Sequence, residues 1–170
     1  MENGSLTMKS FTDNVGRVWT VNVNVGTVKR VRALCNVDIA SIVTMETDGK
    51  PKIELLERLA NDPVLLVDVL YAVCKEEADA KNVSDEEFGR AMAGDSIEKA
   101  TAALLDEIID FFPEAKRRVF AKILAATRRF QEKTKEELAK LLDDPALDGK
   151  IDAALEQLTL SSSNLPESAE

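Results

Sequence analysis

The sequence predicts an α+β protein: a small N-terminal three-stranded antiparallel meander packed on a mainly helical body of five to six helices. Three observations carry this. Trp19 to Val25 reads W-T-V-N-V-N-V, a strict alternation of period two. Asp13-Asn14-Val15-Gly16 before it and Gly26-Thr27 after it are turn signals. Beyond Pro51, apolar residues recur at helical spacing.

The alternation places Trp19, Val21, Val23 and Val25 on one face. A strand at Met8–Thr12 and another at Thr27–Ala33 would complete the meander over 8–35. Such a sheet has one apolar face and needs helices to cover it. Residues 36–44 suit a helical turn capped by Asn36 or Asp38. Thr47 to Pro51 is a turn. Lys52–Ala60 puts Ile53, Leu56, Leu59 and Ala60 on one side of a first body helix. Asn61-Asp62-Pro63 then restarts the chain, with Asp62 as cap and Pro63 at the first helical position. The helix to about Ala80 is apolar nearly all round until Cys74, which marks it as central. Ser84 with Glu87 is a capping box for a helix to about Met92. Gly94-Asp95 breaks it, and Asp95 or Ser96 caps a helix to Phe112. Pro113 opens a long helix to about Leu142, completing the body over 51–142. Asp144-Pro145 ends it, and a weaker helix spans 148–158. One domain over 8–158 is expected, with residues 1–7 and 159–170 disordered. No internal repeat or extended heptad run is present.

Composition narrows function. The chain has no His and two Cys, at 35 and 74, both beside apolar residues. Reduced, buried thiols in a cytoplasmic protein are expected, with no disulfide framework. The N-terminus MENGSLTMKS has no apolar core, which predicts no secretory leader. The longest apolar run, Val64 to Cys74, is interrupted by Asp68 and is too short for a membrane span. The net charge of −9 argues against general nucleic-acid binding. Asp85-Glu86-Glu87 fills a helix first turn, and Asp106, Glu107 and Asp110 fall on a polar helix face, so neither group implies a metal. Ser and Cys nucleophiles lack their usual base, and no phosphate-binding loop or nucleophile elbow occurs. No catalytic residue, cofactor or metal is expected, and the chain is read as a non-enzyme.

One basic segment interrupts the acidic chain. Residues 113–142 hold nine basic and four acidic side chains, against one and seven over 143–170. With Arg117 at 0°, Arg128 falls at roughly 20°, Arg118 at 100°, Arg129 at 120° and Lys122 at 140°. Val119, Phe120, Ile123, Leu124, Phe130, Leu138 and Leu141 occupy roughly 200–340°. This separation permits a ridge that docks an acidic partner or nucleic acid, or a solvated face that partly neutralises the chain's own acidic block over 51–112. Phe111-Phe112-Pro113 is either a hydrophobic hinge or an exposed partner anchor. Trp19 and Tyr71 are expected in the core. The candidate partner-binding residues are therefore Arg117, Arg118, Lys122, Arg128, Arg129, Phe111 and Phe112, with the exposed edges of the meander as a second candidate region.

Several segments together resemble the phage tail assembly chaperones encoded between the tail tube and tape measure genes of long-tailed phages. They are Phe11-Thr12-Asp13, Gly16-Arg17-Val18-Trp19 and Val28-Lys29-Arg30-Val31-Arg32, then Asn61-Asp62-Pro63 opening the helix to Leu70-Tyr71-Ala72-Val73-Cys74. Ser84-Asp85-Glu86-Glu87-Phe88 and Asp110-Phe111-Phe112-Pro113 complete the set. The resemblance covers roughly residues 8–130 and is structural, with no catalytic residue to transfer. It implies a non-enzymatic helper in the host cytoplasm that binds the tape measure and tail tube proteins before assembly and is absent from the finished particle. Self-association is also open, membrane association is not expected, and the alternative is a small virion structural or head–tail joining protein.

Overall fold

The computed structural model describes residues 9–162, with side chains to Gln157. Two units divide the chain, Met1–Ala121 and Lys122–Glu170. The segment expected to be disordered at 1–7 lies outside the described residues, as does 163–170.

The first unit opens with a hairpin. Strand β1 (Lys9–Thr12) pairs antiparallel with β2 (Val18–Val21), Phe11 opposite Trp19. Asp13 organises the turn. Its fully buried carboxylate accepts from Trp19 Nε1 (2.9 Å), Arg17 Nε (2.7 Å) and the backbone N–H groups of Arg17 and Val15. Gly16 takes φ +83°, which a residue without Cβ adopts at no steric cost.

The sheet stops at two strands. The expected third strand, Thr27–Ala33, is instead helix α1 (Val25–Cys35). Asn24 explains this: its side chain accepts from Thr27 N–H and caps the helix. Thr27, Val28 and Val31 are buried, which is helical spacing. Val25, expected on the sheet's apolar face, is exposed in the first turn of α1.

Asn36 closes α1 in the left-handed region at φ 52°, and Asp38 caps a 3-10 turn at Ile39–Ser41. A second ribbon, β3 (Thr44–Met45) against β4 (Pro51–Lys52), flanks the expected turn, where Gly49 has φ +82°. Helix α2 (Glu54–Asn61) follows. Then α3 (Pro63–Ala80) starts as predicted, with Asp62 accepting from Leu65 N–H. Its buried side chains run from Leu66 to Ala78, and it meets α1, α2, β2, α4 and α5. It is the central helix. The capping box at Ser84 and Glu87 forms both of its bonds and starts α4 (Asp85–Arg90). Gly94, rather than Asp95 or Ser96, takes the cap position of α5 (Asp95–Asp110); Ser96 instead bonds Ala93. Helix α5 lies against β1, and its Ala100, Leu104 and Ile108 are buried.

Four aromatic rings centre the core. Phe88 meets Trp19 edge-on at 4.9 Å, Tyr71 at 5.5 Å and Phe11 at 6.4 Å. Each such pair adds about 0.5–1.5 kcal/mol beyond the area it buries.

Helix α6 (Glu114–Leu142) begins in the first unit and continues through the second. Helix α7 (Leu147–Ser162) belongs to the second and extends past the expected end at 158, so residues 159–162 are helical rather than part of a disordered tail. No described helix is long and apolar enough to cross a membrane.

Candidate interaction surface

The outer edge of β2 is already occupied. Thr20 N–H donates to Glu77 Oε2 (2.8 Å), and Lys81 Nζ donates to the Val18 carbonyl (2.6 Å). Cys74 Sγ reaches the Thr20 carbonyl at 3.7 Å. Lys81 also sits 4.7 Å from the centre of the Trp19 ring, a cation–π contact. This edge, part of the second region the sequence suggested for partners, is sealed by α3.

Phe111 and Phe112 are half-buried in the turn between α5 and α6. Their ring centres are 5.4 Å apart, and Phe112 packs edge-on to Phe120 at 4.9 Å. Lys116 lies 5.9 Å from the Phe112 ring. The arrangement is a packed hinge with one side still open.

The five basic candidates are all exposed on α6. Arg117 and Arg118 lie in the first unit, and Lys122, Arg128 and Arg129 in the second.

The feature that the sequence candidates only partly captured is apolar. In the second unit, Phe130 is 72% exposed, Leu142 74%, Leu138 and Leu155 54%, Ile151 47% and Leu141 46%. Thr127 and Thr134 lie on the same stripe and donate their hydroxyls to the carbonyls of Ile123 and Phe130. The signal was present in the helical spacing of Phe130, Leu138 and Leu141. What sequence could not supply was that the described chain leaves this stripe uncovered.

The titratable groups offer little chemistry. Burial pushes the Cys35 thiol up to about 11, helped by Asp68 and Asp85, and the Cys74 thiol up to about 12. Both are free thiols and stay protonated near neutrality, which makes them poor nucleophiles. Burial also raises Asp68, beside Asp85 and Asp62, and raises Glu107 against a backbone hydrogen bond from Val23. Among the described residues no group of three His, Cys, Asp or Glu side chains is placed to hold a metal ion. Two open depressions of about 300 Å³ flank α2, one lined by Glu54, Glu57, Arg58, Asn61 and Asp62.

Comparison with protein-family models, with curated proteins and with solved structures gives no match.

Proposed function

We propose that the chain is a non-enzymatic assembly chaperone of the kind its sequence resembles, binding tape measure or tail tube protein before assembly. One observation supports this above the rest: the uncovered apolar stripe of the second unit, set between charged helix faces. An exposed apolar patch with a polar rim is what a chain that shelters another chain's apolar surface requires. Burial of partner side chains against the stripe supplies the attraction. The net charge of −9 keeps the complex dispersed. Arg117, Arg118, Lys122, Arg128 and Arg129 would steer acidic partner segments toward it.

Co-expression tests the reading. The chain should hold an otherwise insoluble tape measure protein in the soluble fraction and co-purify with it. Reversing the charge of the five basic residues should slow or weaken capture. Unchanged capture removes the ridge from the mechanism, and no rescue of either tail protein refutes the proposal. Mass spectrometry of finished particles separates the alternative, because a virion component would be present and a chaperone missing.

A further inference from the structure

The α6–α7 segment carries two apolar stripes that nothing described in the chain covers. On α6, Phe130, Thr134, Thr127, Leu138, Leu141 and Leu142 span roughly 120° of the helix. On α7, Leu147, Ile151, Ala154 and Leu155 span roughly 100°. The shoulders of these stripes are charged in opposite senses. Viewed from the N-terminus of each helix, the clockwise shoulder of α6 bears Arg128 and Lys135, and that of α7 bears Asp148 and Asp152. The other shoulder of α6 bears Glu137, with Lys133 further round, and that of α7 bears Lys150.

This pattern selects one pairing. When two helices face each other antiparallel, their clockwise shoulders come together. An α6–α7 pair then sets Arg128 and Lys135 beside Asp148 and Asp152, and Glu137 beside Lys150. A parallel pair would set Arg128 and Lys135 beside Lys150, and Glu137 beside Asp148 and Asp152. One antiparallel register aligns Leu138 with Leu147, Thr134 with Ile151 and Phe130 with Leu155, and Lys135 falls between Asp148 and Asp152. The matched stretch is about five turns, too short to appear as an extended heptad run.

The chain does not make this pair with itself. The connection between the helices is tied in place. Asp144 N–H bonds the Leu141 carbonyl (3.2 Å), Asp144 Oδ1 accepts from Ala146 N–H (2.9 Å), and Lys150 Nζ bonds Asp144 Oδ2 (2.8 Å). With this turn formed, Phe130, Leu138, Leu141, Leu142, Ile151 and Leu155 stay exposed.

We infer that a second copy of this chain covers them: α7 of each protomer lies antiparallel along the distal half of α6 of the other, making a two-fold dimer. Such reciprocal exchange of one element is a low-cost route to a dimer. The exposed portions of twelve large apolar side chains, six from each copy, supply about 400–900 Å². Homodimer interfaces are about 65% apolar, so the total is roughly 600–1,400 Å². Most of that span lies below the range for stable association, roughly 1,200–2,000 Å². The expected dimer is therefore weak and separates on dilution. Lys135 contacts Glu132 at 3.9 Å within the chain, a surface pair too weak to compete. The inference rests on the pattern of these two helices and not on the tail-assembly reading; both use the same exposed side chains, so a second copy and a tail protein would compete for them.

Sedimentation velocity of the full chain across a dilution series tests it. The wild-type chain should move from dimer to monomer on dilution from roughly 100 μM. Lys135→Glu alone and Asp152→Lys alone should each raise the dissociation constant about tenfold or more. An equimolar mixture of the two variants should regain dimer, because each mixed pair restores opposite charges at both contacts. Circular dichroism of each variant checks that helix content is kept. Three results would overturn the inference: a wild-type chain that is monomeric throughout, variants that dimerise as well as wild type, or a mixture that stays monomeric.

Discussion

Replacing Asp13 with Ala removes one carboxylate and strands several donors. The indole N–H of Trp19 is left buried without a partner, at about 1–3 kcal/mol. Arg17 is 25% exposed and partly rehydrates, so its lost ion pair counts for about 1 kcal/mol. The backbone donors of Val15 and Arg17 lose the acceptor that shapes the turn, at about 1 kcal/mol between them. The expected loss is about 3–5 kcal/mol, a large share of a typical domain's stability. Asp13→Asn keeps one acceptor oxygen and should cost less. Urea unfolding followed by the fluorescence of Trp19, the chain's one tryptophan, reads the change. The pH dependence has a definite sign. Burial pushes the Asp13 carboxyl up, but hydrogen bonds from Trp19 and Arg17 outweigh it and hold it below its ordinary 3.8. Its contribution is complete above the unfolded value, near 4, and disappears as pH falls through the lower folded value. The Asn variant should lose that part of the acid limb. A cost below about 1 kcal/mol for Asp13→Ala would refute the account of the hairpin turn.

The capping box and the thiols give two further tests. Ser84→Ala removes the acceptor for Glu87 N–H and should cost about 1 kcal/mol in the same urea titration, with Ser84→Gly costing less. Thiol labelling of the native chain near pH 8 should be slow at Cys35 and slower at Cys74, and denaturant should release both. Fast native labelling of Cys74 would contradict its burial beneath β2.

Where local chemistry dominates, the sequence was readable. Asn61-Asp62-Pro63 and Ser84 with Glu87 announce helix starts because a cap is a bond between near neighbours. The helix after Pro113 was legible from periodicity alone. The third strand failed because Val28-Lys29-Arg30-Val31-Arg32 carries β-branched residues that fit either state. Asn24 decided it by capping Thr27, and an Asn in an apparent strand reads equally as an outward polar residue. The β3–β4 ribbon is two residues long on each side, too short to show alternation. Asp13 was visible as a turn residue. Its bond to Trp19 depends on how the hairpin folds over, which spacing does not reveal. Of the candidate surface, the sequence places the basic residues on one exposed helix, but the uncovered stripe depends on which neighbours each helix has.

The Glu77 carboxylate that seals β2 lies 57 residues beyond Thr20. During synthesis at roughly 5–20 residues per second, the hairpin emerges roughly 3–11 seconds before its guard. Throughout that interval a bare strand sits next to identical nascent chains on the same message. Until Glu77 is made, the outer edge of β2 carries the ordinary hazard of an uncovered strand, an opening to pair with another chain.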